Sequence, residues 1–142
     1  MTILILHGPN LNLLGLKSSK SSERLTLDKV NRAIRLHVRN KDINLKIIQT
    51  HKEYIAINFI QRNRNSAKGL VVIPTSWAKY NQTLLETIKV CKLPTTTVYF
   101  SDKYDFGTNE KDTILFGDNI KSFTGEPIET IISAIDHIAK RK

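Results

Sequence analysis

ILILHGPNLNLLG, residues 3–15, decides how the rest of this chain is read. Ile3 to Leu6 is a short continuous apolar run with no polar alternation, the pattern of a strand covered on both faces. His7-Gly8-Pro9-Asn10 stops the run with a glycine, a proline and two polar side chains. A doubly covered strand ending at such a turn is how a parallel α/β sheet begins. The turn then lies at the carboxyl edge of that sheet.

The remaining pattern keeps this alternation. Thr26 is an N-cap for a helix whose Leu27, Val30, Ala33, Ile34 and Val38 keep helical spacing, with Asp28 in the favourable first turn. Ile43, Leu45 and Ile47 alternate as a second strand, and Ile55, Phe59 and Ile60 mark a second helix that runs out near Arg64. Leu70 to Ile73, between Gly69 and Pro74, is a third buried strand. Leu84, Leu85, Ile88 and Cys91 belong to a third helix closed before Pro94. Thr95 to Phe100 is β-branched and aromatic, hence a fourth strand. A weaker fifth strand falls near Ile120 to Phe123. Pro127 suits an early helical position, and Ile128, Ile131, Ile132, Ile135 and Ile138 stripe the last helix.

Strand and helix repeat with no linker, internal repeat or low-complexity tract, so the 142 residues form one domain. Right-handed crossovers make this a parallel sheet with helices on both faces. Five strands in this length predict the flavodoxin-like order, with the ligand site beyond the carboxyl ends of the strands. The loops at 7–25, 50–53, 74–81 and 101–112 are therefore the places to look.

Composition narrows the class further. The one cysteine, Cys91, excludes an intrachain disulfide and a multi-cysteine metal site, and favours a reducing cytoplasm. The apolar start is too short for a signal peptide, and nothing approaches a membrane span. The net charge of +9 admits an anion or nucleic-acid partner. The cations are scattered, with small concentrations at 17–24, 62–64 and 140–142. No aromatic-interleaved basic stripe accompanies them, which argues against nucleic acid.

Within the loops, Asn10 can hold a water or ligand oxygen, or cap its own turn. His7 offers an imidazole there. Gly8 and Gly15 are wrongly spaced for a dinucleotide or P-loop signature. In PTSWAKYNQ, residues 74–82, Lys79 and Tyr80 suit an anionic or carbonyl ligand, and Trp77 reads as packing before stacking. In SDKYDFG, residues 101–107, Asp102 and Asp105 read as solvated partners of lysine, and as acids or bases only if buried. His37 and His137 lie on helices, facing solvent or the packing edge. No His/Asp constellation has metal-binding spacing.

The opening motif resembles the signature of the type II 3-dehydroquinate dehydratases. The similarity continues through Thr26-Leu27-Asp28, through Gln49-Thr50 and Glu53, through the strand, proline, loop and helix of 70–90, and through the strand end Val98 to Asp102. The resemblance implies one dehydroquinase-like domain over 1–142, a flavodoxin-like sheet, and trimers that assemble into a dodecamer. It implies a hydro-lyase of the shikimate or quinate pathway that converts 3-dehydroquinate to 3-dehydroshikimate with neither metal nor organic cofactor. In that reaction a tyrosine, activated by an arginine on a lid, removes a proton alpha to the ketone. An asparagine holds a water against the enolate, and a histidine protonates the departing hydroxyl.

Carried over position by position, the resemblance keeps Asn10 and loses most of the rest. The lid arginine falls at Lys17, which lacks arginine's planar fork. The tyrosine falls at Ser22, whose hydroxyl is far too weak an acid to replace it. The substrate-binding asparagine falls at Ile73 and the loop histidine at Lys79. The glutamate and histidine of the fourth strand fall at Thr97 and Tyr99. Phe100 and Ser101 keep the places whose backbone amides hold a carboxylate. A further arginine falls at Phe106, with a later one at Glu110 or Lys111, and the acid that reaches a neighbouring subunit persists as Glu86. Three readings follow. In the first, a divergent, cytoplasmic homo-oligomer with lost or altered catalysis (a pseudoenzyme) uses the old site for a small anionic ligand or a partner. In the second, an active dehydratase works with a rearranged site. In the third, a basic module binds nucleic acid.

Overall fold

The computed structural model describes residues 1–19 and 24–141. Five parallel strands, β1 (Thr2–His7), β2 (Asn44–Gln49), β3 (Ala67–Ile73), β4 (Thr95–Phe100) and β5 (Ile120–Gly125), form one sheet in the order β2-β1-β3-β4-β5. This is the flavodoxin-like order, and the continuous apolar run of β1 stands beside β2 and β3 in the sheet interior.

Helices α2 (Leu27–Val38) and α6 (Pro127–Ala139) cover one face, and α3 (Glu53–Asn63) and α5 (Gln82–Cys91) cover the other. Alternation along β1 serves both layers: Ile3 and Ile5 pack toward α2 and α6, Leu4 and Leu6 toward α3 and α5. Two one-turn helices, α1 (Leu14–Lys17) and α4 (Trp77–Tyr80), interrupt the loops after β1 and β3. The local signals set the helix starts. The Thr26 hydroxyl accepts from the Lys29 amide at 3.3 Å, Asn81 Oδ1 accepts from the Leu84 amide at 3.0 Å, and Pro127 is the first residue of α6. The fifth strand runs two residues beyond its apolar pattern, because Thr124 and Gly125 still pair with Tyr99 and Phe100.

Gly8 is required by a close approach. Its amide donates to the Ile73 carbonyl at 2.8 Å, and a Cβ added there would lie 2.6 Å from the Pro74 carbonyl oxygen and 2.8 Å from that of Ile73. Both obstacles are backbone and cannot swing aside. Gly8→Ala is expected to cost about 1–3 kcal/mol, read as a lower denaturant midpoint. An unchanged midpoint would mean that this turn yields.

Candidate functional site

The carboxyl edge is tied together around the opening motif. The Thr50 amide donates to the His7 carbonyl at 3.1 Å, Gln49 Nε2 to the Gly8 carbonyl at 3.1 Å, and the Thr75 hydroxyl to the Pro9 carbonyl at 2.9 Å. Loops following β1, β2 and β3 are thereby held side by side. Asn10 tops this arrangement with left-handed backbone, φ 70°, a conformation that asparagine tolerates better than most residues. Its carbonyl accepts from the Leu13 amide at 2.8 Å, but its carboxamide makes no capping bond. The capping reading of the side chain is therefore corrected: the turn is closed by backbone, and the exposed Asn10 faces outward.

Beside Asn10 stands a residue that sequence reasoning passed over. His51 Nδ1 accepts from the Asn10 amide at 3.2 Å, which leaves the proton of the neutral ring on Nε2. The pairing of β1 with β2 brings the two together across 41 residues. The available signal was that 50–53 is a carboxyl-edge loop containing a histidine.

His7, by contrast, offers nothing to a ligand. It is fully buried, and its Nε2 meets Asn31 Oδ1 of α2 at 2.9 Å, while Nδ1 has no hydrogen-bond partner among the described residues. Burial lowers its pKa to about 4, against the Asn31 hydrogen bond, which raises it. A neutral imidazole suits this place, because an unpaired acceptor costs less than an unpaired charge.

The arm after the motif is anchored rather than open at its base. Leu11 and Leu14 are fully buried. The Ser18 hydroxyl, also buried, lies 2.9 Å from the Leu14 carbonyl and 2.8 Å from that of Leu25, and accepts from the Leu25 amide at 2.9 Å. Arg24 Nε donates to the Gly15 carbonyl at 3.2 Å, so this cation is engaged within the loop. Ser22 and Lys20 lie outside the described residues. Ser18→Ala strands the Leu25 amide and is expected to cost about 1–3 kcal/mol. Faster amide exchange at Leu25 would accompany that loss, and unchanged exchange would contradict it.

Ile73, Phe100 and Phe106 come together, and their surroundings are apolar. Ile73 and Phe100 are buried in one cluster with Leu11, Leu14 and Tyr104, and the half-buried Phe106 packs against it. The Lys17 ammonium lies 5.8 Å from the Phe106 ring centroid, a cation–π contact. Two positions where the resemblance expects arginines thus contact each other. The expectation for Ser101 is also corrected, because its amide donates to the Gly125 carbonyl at 3.0 Å in the extended β5 pairing. Lys79 and Tyr80 end α4 as exposed side chains, while Trp77 packs in the α3–α5 layer. A cleft of about 310 Å³ opens between the arm and α2 along Asn12, Gly15, Arg24 and Asp28, and it leaves out Asn10, Lys17 and Lys79.

Tyr99 belongs to the opposite layer. Its hydroxyl donates to Thr113 Oγ1 at 2.7 Å, and that hydroxyl approaches the Ala78 carbonyl at 3.3 Å. Burial raises its pKa above the ordinary phenol value, with Glu110 adding to the rise and hydrogen bonds to Thr113 and Thr97 opposing it. A phenol in that state donates hydrogen bonds and is a poor source of phenolate. Tyr99→Phe is expected to lower stability by about 1 kcal/mol in a urea titration. Asp102 and Asp105 are exposed, His37 Nε2 pairs with Asp136 Oδ1 at 2.9 Å between α2 and α6, and His137 meets the Phe123 ring edge-on. Among the described residues no three His, Cys, Asp or Glu side chains converge as a metal site, and no helix is long and apolar enough to cross a membrane.

The family model of dehydroquinase class II matches residues 1–139. The chain belongs to the class II dehydroquinase family. Among the chain's relatives, a 3-dehydroquinate dehydratase of Clostridium botulinum (strain 657 / Type Ba4) is 26% identical over 136 residues, 96% of this chain and 92% of the relative. The type II dehydroquinase structure from Butyrivibrio crossotus DSM 2876 superposes with a TM-score of 0.84 at 20% identity, covering 99% of this chain and 98% of that one. The type II dehydroquinase from Propionibacterium acnes gives 0.83 at 20% identity, covering 99% and 97%. These superpositions give the dehydroquinase fold to the whole described chain.

Proposed function

We propose that this class II dehydroquinase keeps the scaffold without the dehydration of 3-dehydroquinate, and binds a small anionic ligand at its carboxyl edge. The observation that carries the proposal is that Ile73, Phe100 and Tyr104 are buried in one apolar cluster with Leu11 and Leu14, with Phe106 packed against it. The family reaction needs a base for the proton alpha to the ketone, an acid for the departing hydroxyl, and a clamp for the substrate. Lys17 is engaged with Phe106, Tyr99 is bound in the opposite layer, and the Ser101 amide is taken. Losing one general acid or base costs roughly 10²–10⁴ in rate, and groups acting as a unit do not add. Asn10 and Lys79 remain exposed on this edge and supply polar and cationic contacts for an anion. Like its relatives under the family resemblance, the protein is a cytoplasmic homo-oligomer, trimer or dodecamer, with Glu86 exposed on α5 for a neighbouring copy. Sedimentation of a monomer only would remove the assembly from this reading.

One observation favours the second reading, an active dehydratase with a rearranged site: His51 stands against Asn10 and is solvent-exposed. In that case the His51 imidazole supplies the acid–base group that the family places elsewhere. The product is a conjugated enone that absorbs in the ultraviolet, so a direct assay separates the readings. The expected trace for the pure protein is flat. Turnover that disappears in His51→Ala would establish the rearranged dehydratase instead.

A further inference from the structure

The amino edge of the sheet, opposite the family site, carries a second constellation. A cleft of about 240 Å³ is lined by Lys121, His137 and Arg141, by Pro94 and Thr95, and by Asp118 as its one carboxylate. The cations come from different elements: Lys121 from β5, His137 from α6, and Arg141 from the segment after it. The ring of His137 rests edge-on against Phe123 at 5.8 Å, and the Lys121 ammonium lies 5.6 Å from that same Phe123 ring. Among the described residues neither Lys121 nor Arg141 has a carboxylate within ion-pair distance.

Helix C-termini attract cations through the helix dipole, which accounts for His137 and Arg141 at the end of α6. It does not account for Lys121, which arrives from a strand and converges on the same cleft. Burial lowers the His137 pKa, and Lys121 and Arg141 lower it further by like-charge repulsion. These groups are therefore close enough to act on one another, and Asp118 is the one carboxylate that lines the cleft with them. An arginine fork, a lysine point charge and an imidazole are the donor set that takes a tetrahedral oxyanion.

We propose that the cleft between Lys121, His137 and Arg141 is a binding site for a phosphate group, either free or carried by a nucleotide. Lys121 and Arg141 bear on His137, Asp118 lines the same cleft, and the adjacent Asp136 is paired with His37. A bound phosphate offsets the two cations, so it raises the affinity of the imidazole for a proton, and the His137 titration moves upward when the anion binds.

The test is an NMR titration of the His137 ring signals in the full chain with inorganic phosphate, with adenosine 5′-monophosphate, and with sodium chloride at matched ionic strength. The expected result is a saturable shift with phosphate, an upward displacement of the His137 titration, and at least tenfold weaker binding in the Lys121→Gln, Arg141→Gln double variant. The Lys41→Gln, Arg64→Gln double variant, at two exposed cations elsewhere, serves as the charge-matched control and retains the affinity of the parent. Tighter binding of the nucleotide assigns a nucleotide phosphate, and equal binding assigns free phosphate. A shift reproduced by sodium chloride, the absence of saturation, or equal affinity in a folded Lys121→Gln, Arg141→Gln variant would overturn the site.

Discussion

Ile73→Asn, which introduces the side chain that the family resemblance expects there, lowers stability by about 3–8 kcal/mol. Ile73 is 2% exposed in the cluster with Phe100, Leu11 and Leu14. Removing a buried aliphatic side chain costs about 2–5 kcal/mol, and a buried carboxamide without partners adds about 1–3 kcal/mol. The apolar truncation Ile73→Val costs about 0.5–1.5 kcal/mol and shows what lost volume costs without polarity. Equilibrium urea unfolding measures both. A loss under about 1 kcal/mol for Ile73→Asn would mean that position 73 opens onto a wet pocket, and the apolar-cluster account would fail with it.

Acidification from pH 7 to pH 4 removes stability through His7. Its ordinary pKa is 6.5 in the unfolded chain and about 4 in the fold. Below 6.5 the unfolded chain takes up a proton that the folded chain refuses, so stability falls as the pH drops through this window and levels off below about 4. A displacement of this size corresponds to about 3 kcal/mol. His7→Gln removes the titrating group, so its stability profile is flatter than that of the parent over pH 7 to 4, whatever its absolute stability. Parallel profiles would show that His7 is protonated inside the fold.

What could be read in the sequence was local or periodic. The run Ile3–Leu6, the Thr26 cap, Pro127 and the stripe of α6 each carry their meaning within a few residues, and their alternation gives a parallel sheet with right-handed crossovers. Period two even held the key to His7: it shares parity with Ile3 and Ile5, which face α2, so its burial against Asn31 follows from the strand. The contacts that decide the site depend on partners far along the chain. His51 meets Asn10 across 41 residues, and Lys17 meets Phe106 through the fold of two separate loops. A strand boundary decided another: with β5 ending at Phe123, Ser101 has a free amide, whereas Gly125, two residues on, accepts that amide. The cations of the amino edge are spread over β5 and α6 and look scattered in the sequence until the sheet gathers them.

The central claim is that an intact class II dehydroquinase fold here lacks the family's chemistry. A single-turnover experiment, with the pure protein in excess over 3-dehydroquinate and the enone absorbance followed for hours, tests it most directly. The account predicts product formation no faster than in buffer alone. Conversion of the substrate at an enzymatic rate, on the order of 1 s⁻¹ or faster, would contradict it.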